Sequence, residues 1–318
     1  MSEDVRALVR FYLPNFPVRR VRRLVTDTTD FSSIDYGDVV HLGGQHYMVL
    51  RDEAERRFGI EDFKFWVKRC KVLETGESAI LKLVFHEEFL QQLGDITIRS
   101  YRSPAKEARI LEMVKDDRRF MHGFSIVDDQ GNLVRVLDVI RGKRFDLAVS
   151  EMGENHRDYF DNHFAGALGL FIDACEAIAW LHSRDERHGD IRRDHLWLEP
   201  RTGMLRWIDF DYAYDLSANP FALDLAGLGN ILAFLVGRQV FRPPDLEEMG
   251  ILDKAEPGDF NLVFRNRFAN LRKAFPYVPE DLNRVLMHFS AGTEVFYETV
   301  DEFLADLRPC LDSLPKGG

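Results

Sequence analysis

Between residues 46 and about 140 the apolar positions alternate or come in short blocks. HYMVL (46–50), KFWVKRCKVL (64–73) and SAILKLVFH (78–86) read as strands, with ETGE (74–77) as a hairpin turn between the last two. FSIVDDQGNLVRVLDVI (124–140) reads as two more strands joined through DQGN. One segment switches to helical spacing: in PAKEARILEMVKDD (104–117), Pro104 suits a helix start and Ile110, Leu111 and Val114 share a face. After RGKRFD (141–146) helical spacing takes over. FAGALGLFIDACEAIAWLHSR (164–184) is a long apolar-faced helix and FALDLAGLGNILAFLVG (221–237) a second. The remainder to 318 reads as mainly helical, broken by Pro243, Pro244 and Pro257. Strands first and helices afterwards predict an α+β, two-lobed layout. Its parts are an N-terminal extension (1–45) mixing a helical opening with turn residues, a β-rich lobe (46–143) and a larger helical lobe (144–318).

Composition narrows the class without changing this picture. The chain has 318 residues, 45% hydrophobic and 12% aromatic with 25 Phe, which suits packed globular structure and excludes overall disorder. No apolar run reaches the roughly eighteen residues of a membrane span, and MSEDVRALVRFYL lacks the layout of a signal peptide. Cys70, Cys175 and Cys310 are far apart and odd in number, which suggests neither a disulfide framework nor a CxxC site. A soluble, cytoplasmic protein is expected. The net charge of −11 argues against general nucleic-acid binding. Arg19, Arg20, Arg22 and Arg23 in PVRRVRRLV are a local exception, either a solvated face or a patch for a partner or phosphate.

The candidate chemistry is phosphoryl transfer. That reaction needs a cation on the nucleotide phosphates, a carboxylate to orient that cation, divalent metal, and a carboxylate to position the acceptor hydroxyl. Candidates occur along the chain in AILKLVF (79–85), PAKEARILEMV (104–114), HGDIRRDH (188–195), WIDFD (207–211) and DLAGLG (224–229). In that order they resemble the protein-kinase-like superfamily, over about residues 45–237. The resemblance implies that Lys82 contacts the phosphates and that Glu107 pairs with it, with Glu112 in reserve. It makes Asp190 the catalytic base, Arg192 a steadying cation for the transferring group, and Asp209 a metal ligand assisted by Asp211. Asp224, with Gly229 at the matching spacing, would anchor the catalytic loop, although an acidic residue opening a helix can be only an N-cap. The cofactors implied are ATP and Mg²⁺ or Mn²⁺, and the partner an acceptor bearing a hydroxyl, either protein Ser/Thr or a small molecule.

Three departures bear on how far that function carries over. His195 stands where such loops carry asparagine. A neutral imidazole can ligate a divalent ion, and lipopolysaccharide kinases of the Kdo type are similar in carrying histidine there. No G-x-G-x-x-G precedes Lys82, and the expected cover over the phosphates is the connection RDEAERRFGIED (51–62), with Arg56 and Arg57 either on phosphate or in solvent. Only residues 210–223 separate Asp209 from Asp224, too few for a peptide platform. In this the chain resembles the RIO kinases, the kinase of the KEOPS complex, and aminoglycoside and choline phosphotransferases. Acceptor recognition would then fall to 238–318, where FNLVFRNRFANLRKAF (260–275) and FSAGTEVFYETVDEFLADL (289–307) carry apolar spacing that reads more as core than as binding surface. The alternative to an active kinase is a nucleotide-binding regulatory module without turnover.

Overall fold

A computed structural model describes residues 2–57, 60–93, 96–216 and 219–314. The chain forms two compact units: residues 1–87 with 102–140, and residues 88–101 with 141–318. The second unit therefore begins at 141 and also takes in residues 88–101, which the sequence had placed inside the β-rich lobe.

The first unit starts with α1 (Ser2–Tyr12), β1 (Leu24–Val25) and β2 (Val39–Leu42), so the N-terminal extension packs within this unit. Val5 and Val9 of α1 are buried with Val21, Val39, Met48 and Leu73. The arginine-rich stretch is tied down locally: Arg22 and Arg23 both lie beside the buried Asp38, and Arg23 also donates to Ser33. Next come β3 (Gln45–Arg57), β4 (Ile60–Val72) and β5 (Ser78–Lys82). β3 and β4 form one long antiparallel hairpin with two register shifts, so residues 51–57 and 60–62 are strand and not an open connection. The side chains of Arg56 and Arg57 lie outside the described residues. β5 ends at Lys82, short of the expected His86; just beyond it Phe85 stacks on Trp66 at 3.9 Å.

The chain then makes the hairpin β6 (Glu88–Leu93) and β7 (Ile96–Arg102), followed by α2 (Pro104–Met113), β8 (Gly123–Val127) and β9 (Leu133–Asp138). α2 is capped by Ser103, which accepts from the Lys106 amide, and stops at Met113, where the sequence pattern continued to 117. Seven strands form the first unit's sheet in the order β1-β2-β3-β4-β5-β9-β8. Its apolar face gathers Val40, Tyr47, Val49, Cys70, Leu81, Leu83 and Val134 into the core.

The second unit contains β10 (Lys143–Arg144), α3 (Phe145–Ser150), α4 (His156–Asn162), α5 (Phe164–His182), β11 (Leu196–Glu199), β12 (Met204–Trp207), β13 (Tyr212–Asp215) and α6 (Ala222–Gly237). α5 is long and apolar enough to cross a membrane by composition, yet Leu168, Phe171, Ile172, Ile178 and Leu181 are buried inside the unit. β10, β11 and β12 form a small sheet. β13 pairs with β7 in a second one, ordered β13-β7-β6. Ile98 of β7 is fully buried there with Tyr214, Ala222 and Ala226. Helices α7 (Pro243–Glu248), α8 (Leu271–Ala274), α9 (Glu280–Met287) and α10 (Val300–Ser313) complete the unit. Two expectations need correction here. Pro243 and Pro244 open a helix, since proline's missing N–H costs nothing in a first turn. Residues 260–270 and 289–299 are largely irregular, held by backbone bridges such as Phe260 to Phe268, although Phe268, Leu271, Phe289, Phe303 and Leu304 are core as expected.

Candidate functional site

The first unit holds Lys82 and Glu107. Lys82 Nζ donates to Glu107 Oε1 at 2.9 Å, and both side chains are essentially closed to solvent, at 2% and 0% exposure. Glu107 lies in the first turn of α2, and the pairing of β5 with β9 brings Lys82 opposite Arg135. Arg135 is also 2% exposed and donates through Nε to the other Glu107 oxygen at 3.0 Å. One carboxylate thus serves two buried cations. Arg135 went unnoticed in the sequence, although a cation inside the apolar run LVRVL was a usable signal. Glu112, held in reserve, is exposed and pairs with Lys115, so it has no part in this cluster.

The second unit holds Asp190, Arg192, His195, Asp209 and Asp211. Their loop is anchored from α6: Asp224 is fully buried and accepts from the His188 amide at 2.7 Å and the Gly189 amide at 2.8 Å. His182, at the end of α5, contacts the same carboxylate at 3.0 Å. The helix N-cap is Phe221, so Asp224 is not an N-cap and its acceptor capacity goes to the loop. Gly189 has φ +86°, the left-handed region that glycine enters without strain. A close approach supports Ile191, two residues further on: a Cβ at Gly227 would lie 2.6 Å from its carbonyl oxygen. Gly229, singled out in the sequence, instead makes room for the Phe289 ring, where a Cβ would sit at 2.3 Å. The glycine that admits the loop is therefore Gly227.

His195 Nδ1 lies 2.9 Å from the Asp190 backbone oxygen. A carbonyl oxygen only accepts, so Nδ1 carries the proton, and in the neutral form of the ring the lone pair lies on Nε2. Nε2 is 3.8 Å from Asp209 Oδ2, too long for a hydrogen bond. Asp209 has φ +61°, a conformation uncommon outside glycine and typical of strained functional positions. The backbone contact of Ile208 N with His195 O at 3.0 Å ties the two motifs together. His188 is packed edge-on against Trp207 and Phe210. Asp211 is buried.

Burial pushes the Asp190 carboxyl above the usual carboxylate range; His195 and Arg192 pull it back, and the Asp209 and Asp211 charges push it further up. A raised carboxyl is a stronger proton acceptor. Arg192 forks onto Asp194, with Nε 3.1 Å from Oδ1, and its Nη1 lies 3.7 Å from Asp190 Oδ2. Among the described residues no set of three or more His, Cys, Asp or Glu side chains is gathered into a metal site. The pair His195 and Asp209 offers two donors facing each other.

No protein-family model matches this chain, and no curated protein matches it either. Among solved structures it is similar to that of the Cydia pomonella granulovirus kinase PK-1, at 15% sequence identity and a TM-score of 0.52. The alignment covers 83% of this chain and 94% of that one. The likeness shows the fold: α+β and kinase-like, with a β-rich N-terminal part and a larger helical C-terminal part.

Proposed function

We propose that the chain is an ATP- and divalent-metal-dependent phosphotransferase that moves the γ-phosphate to a hydroxyl acceptor. The observation that carries this reading is the loop held by Asp224, which sets His195 Nε2 opposite Asp209 with Asp190 beside them. A scaffold would need neither a proton acceptor of raised basicity nor a histidine whose tautomer is chosen by a backbone carbonyl. The donor set fits a divalent ion. His195 Nε2 and the Asp209 carboxylate are the ligands we assign, and Asp211 is a reserve carboxylate. When bound, the metal neutralises charge developing on the phosphates.

The chain's own groups do the rest. Lys82, oriented by Glu107, supplies the cation for the nucleotide phosphates. Asp190 accepts the hydroxyl proton as the acceptor oxygen attacks the γ-phosphorus and the bond to the β-phosphate's bridging oxygen breaks, releasing ADP, and Arg192 lends charge to the transferring group. An imidazole ligand favours Mn²⁺ over Mg²⁺ relative to the usual oxygen-only set.

The test is turnover of ATP labelled separately at the γ- and α-phosphates, with Mg²⁺ or Mn²⁺. Label leaving the γ-position, abolished in Asp190→Ala and changed in metal preference in His195→Asn, is expected. Label leaving the α-position would make the chain a nucleotidyl transferase. ATP binding without turnover across a panel of alcohols would make it a regulatory module.

A further inference from the structure

A pocket of about 420 Å³ in the second unit is walled by Ser150, Arg193, Phe234, Arg238, Arg242 and Asp245. Arg193 comes from the candidate catalytic loop itself, three positions past Asp190 in HGDIRRDH. Its guanidinium lies over the Phe234 ring at 4.6 Å, which holds the face of the group and leaves its N–H donors for another partner. The nearby carboxylates are already engaged: Asp146 is forked by Arg144, and Asp194 by Arg192. Asp245, in the wall, accepts from the Arg242 backbone amide. Arg238 donates to the carbonyls of Ser150 and Gly153.

Arg267 adds a further charge, with its Nη1 on the Asn230 side-chain oxygen at 2.6 Å. Burial, then the charges of Arg193 and Arg242, push the Arg267 guanidinium down to about 10. Among the described residues none of Arg193, Arg242 and Arg267 has a carboxylate within ion-pair distance. In a chain of net charge −11, gathering such cations into one half-buried place costs repulsion that a bound dianion would relieve. The larger groove beside α9 differs: its Arg272 pairs with Glu280 and its Lys273 with Asp259.

We propose that this pocket binds a phosphate group of the acceptor, so that the substrate is a small phosphorylated alcohol whose free hydroxyl is presented to Asp190. The volume suits a small molecule rather than a protein surface. A planar guanidinium fork matches phosphate oxygens bidentately. This assignment of substrate class rests on the phosphotransferase reading, but the anion site can be tested apart from it.

The first probe is inorganic pyrophosphate, titrated calorimetrically into the full-length protein at fixed ionic strength without divalent metal. Saturable binding is expected, weakened at least about tenfold in Arg242→Gln, tightened in Gln239→Lys, and retained in Lys82→Met. Arg242 and Gln239 are exposed, so both variants are expected to fold, and circular dichroism checks this. Binding unchanged in Arg242→Gln, or lost in Lys82→Met, would overturn the site. Pyrophosphate binding that follows Arg242 in a protein that never turns over ATP would leave the site standing and remove the phosphotransferase reading. ATP turnover with pyrophosphate binding indifferent to Arg242 would do the reverse. Finally, γ-phosphate transfer to a phosphorylated hexose in preference to the free hexose, lost in Arg242→Gln, is expected. Preference for a phosphoserine peptide would overturn the small-molecule assignment.

Discussion

Glu107 is shared, and that makes the three members of its cluster unequal. Lys82 and Arg135 each reach a different oxygen of the same buried carboxylate, at 2.9 and 3.0 Å. Removing Lys82 leaves Glu107 and Arg135 as a neutral pair, with Arg135 still donating to the carbonyls of Leu133 and Leu83. Removing the Glu107 charge takes from Lys82 and Arg135 the carboxylate they share. Removing one partner of a buried pair costs about 3–5 kcal/mol because it strands an uncompensated charge, a cost that does not arise where the remaining charge keeps an opposite partner. Glu107→Gln is therefore expected to destabilise the first unit by about 3–5 kcal/mol, and Lys82→Met by about 1 kcal/mol or less. With a urea slope of about 2 kcal/mol per molar, the former moves the unfolding midpoint down by about 1.5–2.5 M. Amide exchange of α2, followed by mass spectrometry, localises the effect: protection of residues 107–113 falls in Glu107→Gln and holds in Lys82→Met. A Lys82→Met loss as large as that of Glu107→Gln would refute the reasoning, because Arg135 would then not compensate the carboxylate.

Two other expectations follow from single carboxylates. Asp224→Asn keeps the shape but turns an amide NH₂ toward a loop N–H, which costs about 2–4 kcal/mol, and faster exchange at His188 and Gly189 is the readout. Unchanged protection there would mean that Asp224 does not hold the loop. Asp128 accepts from the Thr28 amide and hydroxyl and from Asn132. Burial raises its pKa, but the hydrogen bonds from Asn132 and Thr28 prevail, and it falls to about 2. Its folded pKa lies below the unfolded value of about 3.9, so its stabilisation is complete above pH ~4 and is lost as pH falls through about 2. Melting curves of wild type and Asp128→Asn should converge between those limits, and parallel curves would contradict it.

The motifs that could be read from the sequence are those whose residue types the local backbone demands. HGD needs a glycine at φ +86°, and WIDFD and DLAGLG put carboxylates at turns and helix starts where few other residues serve. The strand stretches 46–50 and 64–72 and the helix of α5 likewise follow local periodicity, whereas residues 51–57 and 60–62 read as a connection and are strand. What stayed hidden depends on partners distant in sequence. Arg135 is defined by Glu107, Gly227 by Ile191, and β6 and β7 by a strand that comes more than a hundred residues later. Residues 260–270 and 289–299 were misread because phenylalanine-rich spacing signals burial and does not distinguish a helix from a folded-in loop.

The pairing of β7 with β13 has a consequence for how this chain can be made and divided. The polypeptide passes from the first unit to the second at 87–88, returns at 101–102 and leaves again at 140–141. During synthesis residues 88–101 leave the ribosome long before 212–215 exist to pair with them, so this sheet closes only after α5 and the whole candidate loop have been made. No single cut separates the units cleanly. A fragment starting at 141 would lack Ile98 against Tyr214, Ala222 and Ala226 and would carry β13 as a bare edge. In evolutionary terms the helical part could not have been exchanged for another by one crossover, because a piece of its own sheet is stored upstream, between the strand of Lys82 and the helix of Glu107.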